Sequence, residues 1–271
     1  MTNLRIDVAG GQIIGAREHQ EDAYAIGDIP PSNGRHLAVL ADGMGGHVAG
    51  ATAARAVVDA FMEAMSPLTN DVAKSLKSAV VASNLAVGQQ TRNNPDLDGM
   101  GSTVVGIAIA DDCLYWVSVG DSLLYHVSNN RLRRLNADHS LAGQIDAAAQ
   151  RGEISWEEAR NSTRRHILRS AIMGSDIALI DLPENPVKLM PGDTILMASD
   201  GLETLSIDAL AELLSQRHDA SAMDTTTRVL KELVRRDAPR QDNVTVIAVT
   251  LTPTEVSDDV PTRPLRPNDQ P

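Results

Sequence analysis

Apolar and polar positions along the chain change period several times, and each change predicts an element. Residues 4 to 14 alternate and are rich in β-branched side chains, which predicts a strand that runs into the polar segment "GAREHQED". In "LAVLADGMGGHVAG" a buried strand of four apolar residues, Leu37 to Leu40, ends at Ala41 and Asp42, and four glycines follow within eight positions. Val57, Val58, Phe61, Met62 and Met65 then recur on one helical face. A second helix follows Pro67, with Val72, Leu76 and Val80 four apart. The methionines read as core filling.

From 102 to 135 the period shortens. "STVVGIAIA", "CLYWVSVG", "SLLYHVS" and "RLRRLN", separated by "DD", "GD" and "NN", predict a β-meander with tight turns. Residues 139–174 are polar and helical in places. The last unit predicts strand "DTILMAS", a helix after Gly201, another over about 221–236, and strand "NVTVIAVTL". From Thr252 the chain is proline-rich and polar, so one domain is expected over 1–251 with a disordered tail over 252–271. Strands and helices in blocks favour antiparallel sheets covered by helices over a doubly wound parallel sheet.

Composition narrows the function. Only 2% of the 271 residues are aromatic, so the core is aliphatic and stacking platforms for single-stranded nucleic acid are not expected. A formal charge of −12 repels nucleic acid and anionic membranes. Cys113 is the one cysteine, which rules out an internal disulfide. "MTNLRIDVAGG" lacks the basic and apolar regions of a secretory signal, and no apolar run approaches the ~18 residues of a membrane span. The expectation is a cytoplasmic monomer with neither nucleic-acid nor membrane partners.

The chemistry concentrates at strand ends. Asp42, Asp121 and Asp200 each close an apolar strand, Asp242 precedes one, and Glu21 and Asp22 end the "REHQED" segment. Singly these are turn residues. As a set they abut the most apolar strands, where unpaired carboxylates are penalised, and no cluster of basic residues accompanies them. Cations would neutralise them, and oxygen-only donors suit Mg²⁺ or Mn²⁺ over Zn²⁺. The Gly43 carbonyl is a further candidate ligand, and small neighbours leave room for waters and a phosphate. Paired ions ~3.5–4 Å apart suit phosphoryl chemistry.

In order, "RxxxED" (Arg17, Glu21, Asp22), "DGMGGH" (Asp42 to His47), "GST" (Gly101 to Thr103), "GDS" (Gly120 to Ser122), "DHS" (Asp138 to Ser140), "SDG" (Ser199 to Gly201) and "DN" (Asp242, Asn243) resemble the metal-dependent serine/threonine protein phosphatases of the 2C type in their bacterial form. The resemblance spans residues 11 to 250. It implies an α+β fold, a four-layer α-β-β-α sandwich of two antiparallel sheets flanked by helices, with the metals in a cleft at one end. It implies that Asp42 bridges two metals, that Asp200 and Asp242 complete the first site, and that Glu21 and the Gly43 carbonyl serve the second. Asp22 would hold water, Asp121 with Asp200 would bind a third ion, and Arg17 would clamp the phosphate. The implied reaction is hydrolysis of phosphoserine and phosphothreonine in proteins by a metal-activated water, without a phosphoenzyme. Partners would be phosphorylated proteins, a Ser/Thr kinase among them.

Three positions depart from the family pattern. Met44 stands where animal members carry a histidine regarded as the general acid. Leu123 replaces the arginine that normally follows "GDS", and "NSTRRHILRS" lacks the usual His-Pro. His47 and His139 read first as structural histidines, with the leaving-group acid as the alternative, and Arg17 has the alternative of a surface salt bridge with Glu21. Two other functions compete with the phosphatase. One is a phosphoprotein-binding module without catalysis, which loss of a metal-ligand aspartate would mark. The other is a two-metal phosphoesterase for small molecules. "DGMGG" as a nucleotide loop lacks the Lys-Ser/Thr that should follow it.

Overall fold

The computed structural model describes residues 4–28, 35–46, 48–66, 69, 71–215 and 220–254. Two antiparallel sheets form its centre. The first contains β1 (Leu4–Ile13), β7 (Leu123–Ser128), β8 (Arg131–Arg134), β10 (Thr194–Ala198) and β11 (Val244–Pro253), in the order β1-β11-β10-β7-β8. The second contains β2 (Asp22–Asp28), β3 (His36–Met44), β5 (Val104–Ala110), β6 (Cys113–Val119) and β9 (Val187–Lys188) in that order, with β4 (Gly101–Ser102) paired to the end of β3. Helices α1 (Val48–Ala64) and α2 (Val72–Asn93) cover the second sheet, and α5 (Ile207–Ser215) and α6 (Ala222–Arg236) cover the first.

Strand periodicity builds this four-layer stack directly. Leu37, Val39 and Ala41 of β3 join Val57, Phe61, Leu76 and Val80 in one core, while Ala38 and Leu40 between them face the other sheet. On β11, Val244, Val246 and Ala248 pack under α6, whereas Ile247, Val249 and Leu251 enter the inter-sheet core with Ile107, Ile195 and Met197. Both faces of β3, β5, β10 and β11 are covered, which is why the sequence shows unbroken apolar runs there. Asp71 caps α2 through Lys74 N, and Ser221 caps α6 through Asp224 N. Met65 is fully buried and Met62 packs against the same core, as core filling requires.

The element reading holds for most of the chain, with instructive differences. β2 and β9 were not expected. β2 is the edge strand of its sheet, and its sequence "DAYAIGD" has small and polar residues in place of a clear apolar face. The helix expected after Gly201 is a 3₁₀ turn over Asp200–Thr204 followed by α5. The polar 139–174 segment contains α3 (Ala142–Gln150) and α4 (Trp156–Asn161), the latter opened by a Ser155–Glu158 capping box. β11 continues past Leu251, pairing Thr252 with Arg5 and Pro253 with Leu4, so the ordered unit extends two residues into the range expected as tail. Residues 255–271 and His47 lie outside the described residues. No helix among the described residues is long and apolar enough to cross a membrane.

A candidate metal and phosphate cleft

Antiparallel pairing brings the acidic strand ends to one edge of the sandwich. Asp22 at the start of β2 lies opposite Asp42 near the end of β3. The turn from β6 to β7 carries Asp121, and β10 ends beside the start of β11, which sets Asp200 near Asp242. Residues separated by up to 220 positions therefore face one another.

A second set of side chains fixes them. Asp42 N donates to Thr103 Oγ1 at 3.0 Å, its carbonyl accepts from Ser102 Oγ at 2.9 Å, and Thr103 Oγ1 is 2.7 Å from Ser122 Oγ. The "GST" and "GDS" motifs thus hold the Asp42 backbone. Asp22 Oδ2 accepts from both Ser199 Oγ and Thr245 Oγ1 at 2.8 Å. Asn243 accepts from Glu21 N at 2.8 Å and donates to the carbonyls of Ile14 and His19, which ties the Glu21 loop to β11. Of these supports, Thr245 carried no sequence signal, since a threonine inside an apolar strand reads as an ordinary strand residue.

The glycines are explained by close approach. A Cβ on Gly43 would run into the Gly50 carbonyl and lie 2.6 Å from Glu21 O. A Cβ on Gly50 would collide with Glu21 Oε2 and sit 3.0 Å from the Gly43 carbonyl oxygen. The carboxylate of Glu21 and the carbonyl of Gly43 therefore share a space kept open by the missing side chain at 50.

Two cavities meet at Asp42, Met44 and Asp200. One, about 270 Å³, is lined by Arg17, Glu21, Gly43, Gly45, Asp242 and Asn243. The other, about 570 Å³, extends past Asp121 and Thr103 to the 166–178 segment. Arg17 Nη2 bonds Asp242 Oδ2 at 2.6 Å, so its ion pair is made with Asp242 rather than with Glu21. One basic residue therefore does reach the acidic set, from 225 positions away.

Burial and crowding set the electrostatics. Burial is the main cause that pushes Asp22 up to about 6 and Asp121 to about 7, with neighbouring carboxylates adding to both. Asp42 is raised well above the usual carboxylate range by burial and then by Asp22, Asp200, Asp121 and Asp242. Asp200 is raised by burial and by Asp242, an effect softened by a hydrogen bond with Asp42. Among the described residues no three His, Cys, Asp or Glu side chains close into a compact metal cluster. Asp22 is instead held by hydroxyls and Asp242 by Arg17. The donors nonetheless fit hard divalent cations. They are all oxygens, they repel one another, and the Glu21–Gly43 space is one that a Cβ would fill.

A stability prediction follows. Asp22 and Asp121 hold protons more tightly folded than unfolded, so their contribution is present below about 4 and lost as the pH rises through 6 to 7. Protein kept in chelator should melt at progressively lower temperature from pH 5 to pH 8, and Mn²⁺ should recover most at pH 8. A level or rising melting temperature in chelator would contradict the crowding of these carboxylates.

The remaining histidines separate clearly. His139 is buried, its Nδ1 accepts from Gly120 N at 3.2 Å, and burial lowers its pKa. His166, to which no role attached in the sequence, lines the larger cavity.

A family model described as protein phosphatase 2C matches residues 9–242. The serine/threonine phosphatase stp of Listeria welshimeri is 33% identical over 194 residues, covering 70% of this chain and 74% of that protein. The serine/threonine protein phosphatase PstP of Mycobacterium tuberculosis is 31% identical over 225 residues, which are 80% of this chain but 41% of that longer protein. A crystal structure of the PstP catalytic domain with two manganese ions superposes with a TM-score of 0.75 at 29% identity, covering 92% of this chain and all of that one.

Proposed function

The chain belongs to the protein phosphatase 2C family and is a metal-dependent serine/threonine protein phosphatase, and from that premise we propose how its own residues divide the work. The carrying observation is that Asp42 and Asp200 form the wall shared by two cavities, with Arg17 and Glu21 on one side and Asp121 on the other. Asp42, Asp200 and Asp242 would hold one divalent ion, and Asp42 with Glu21 and the Gly43 carbonyl a second. Asp121 with Asp200 would hold a third. When bound, Mn²⁺ or Mg²⁺ supplies the charge that neutralises these carboxylates and makes a water acidic enough to attack phosphorus. Asp22, its Oδ2 held by Ser199 and Thr245, is buried and lines neither cavity, so it would act on the cleft through a water oriented by Oδ1. Arg17 uses one N–H on Asp242 and keeps others for phosphate oxygens.

The enzyme would act as a monomer. It would act in the cytoplasm on proteins phosphorylated by a Ser/Thr kinase. The domain would end after Pro253, where the β1–β11 pairing stops. Truncation there should leave melting temperature and turnover close to those of the full chain, and a marked drop in either would give the tail a role.

The test is hydrolysis of p-nitrophenyl phosphate and of a phosphothreonine peptide with Mn²⁺ and with EDTA. Turnover that survives complete metal removal would overturn the assignment. Arg17→Lys keeps the charge but loses the planar fork, so kcat/KM should fall by about 1–3 kcal/mol, roughly tenfold to a hundredfold. Mn²⁺ affinity should stay near wild type. Collapse of metal binding with an unchanged KM would instead make Arg17 an organiser of Asp242.

A further inference from the structure

We propose that His166 protonates the leaving oxygen of the substrate serine or threonine, an inference that rests on the phosphatase reading above. The departing alkoxide needs a proton, and the cleft offers few donors. Met44 lines both cavities beside Asp42, and its thioether has no proton to give. His139 is buried and spends Nδ1 on Gly120 N. Asp42, Asp121 and Asp200 are assigned to metal, and the guanidinium of Arg169 holds its protons too tightly to donate one. Among the described residues, His166 is the one imidazole that lines either of the two cavities meeting at Asp42.

Its placement suits the task. His166 lines the same cavity as Asp200, the residue that opens the 3₁₀ turn following β10. Asp42, Asp121, Arg169, Asp176 and Asp200 are the charged side chains that share its cavity. The segment that carries it is pinned on both flanks. The Arg165 guanidinium grips the Asp146 carboxylate of α3 with both terminal nitrogens, and Leu141 N donates to Ile167 O at 2.9 Å. The side chain itself is exposed to the cavity and to solvent, so it can exchange protons with bulk water.

The step balances without a further reactant. Water oxygen forms the new bond to phosphorus, and the bond from phosphorus to the serine or threonine oxygen breaks. That oxygen takes the imidazolium proton and leaves as the alcohol. The neutral imidazole then recovers a proton from solvent, equal to the one that the attacking water releases. A general acid in this role contributes about a hundredfold or more.

Leaving-group chemistry tests it. p-Nitrophenolate departs without protonation at neutral pH, whereas a serine or threonine alkoxide does not. In His166→Gln the ratio of kcat on a phosphothreonine peptide to kcat on p-nitrophenyl phosphate should fall about a hundredfold from the wild-type ratio. Mn²⁺ affinity by calorimetry and melting temperature should match wild type. A ratio within threefold of wild type would overturn the proposal, whether or not both activities drop. So would a loss of Mn²⁺ affinity, which would place His166 among the metal supports, or an equal selective loss in Asp176→Asn. Wild-type protein inert toward p-nitrophenyl phosphate in Mn²⁺ would instead defeat the phosphatase reading itself.

Discussion

Asp42→Ala should leave no more than about a thousandth of wild-type turnover, equivalent to losing ~4 kcal/mol of transition-state stabilisation. Asp42 stands on the wall between the two cavities and interacts with Asp22, Asp121, Asp200 and Asp242 together. Each of those neighbouring carboxylates is assigned to a metal or its water. Removing one peripheral ligand would weaken one site, whereas removing Asp42 opens both. The fold should survive, because the Thr103 and Ser102 hydrogen bonds go to the Asp42 backbone and do not depend on its carboxylate. Deleting a buried, repelled acid should even raise the melting temperature in chelator above that of wild type, while the stabilisation by Mn²⁺ disappears. Retention of a tenth of the activity, or a full Mn²⁺-induced shift in melting, would show that Asp42 does not bridge.

How much of this was legible depended on the distance over which a feature is encoded. The sheets were readable because both faces of β3, β5, β10 and β11 are buried, which writes the strands as continuous apolar runs. β2 was not, since an edge strand with Asp22, Gly27 and Asp28 has no such run. The acidic set was visible because an aspartate that ends an apolar strand is locally conspicuous. The identity of the partners was not. Arg17 and Asp242 are 225 residues apart, and their loops are brought together by the β1–β11 pairing, by Ala16 N donating to Gln241 O at 2.8 Å and by the Asn243 hydrogen bonds. The hydroxyls of Ser199 and Thr245 on Asp22 were hidden for the same reason, as was His166 within a polar segment that has no period of its own. The glycine at 50 was seen as part of an unusual run, but its reason, the approach of Glu21 from the preceding loop, is purely tertiary.

That reason yields the second large effect. Gly50→Ala should weaken one of the two core Mn²⁺ sites by about a hundredfold, the upper range for changes that displace a metal ligand without removing it. The new methyl would occupy the place of Glu21 Oε2 and press against the Gly43 carbonyl oxygen. Backbone cannot yield cheaply there, because Gly43 N donates to Glu21 O at 3.1 Å and Gly43 pairs with Ser102 of β4. The flexible end of Glu21 can move, so the carboxylate swings away from the carbonyl and the pair of oxygens is dispersed. Alanine in a helix is otherwise favourable by up to about 1 kcal/mol over glycine, which offsets part of the crowding and keeps the protein folded. Turnover should therefore be poor at low Mn²⁺ and recover in part at high Mn²⁺, while Asp42→Ala stays inactive at any concentration. Gly143→Ala, where a Cβ meets nothing within 4 Å, is the matched control and should behave as wild type. Two unchanged Mn²⁺ sites in Gly50→Ala by calorimetry would mean that Glu21 and the Gly43 carbonyl do not form a metal cradle, and the second site would have to be sought elsewhere along the Asp42 wall.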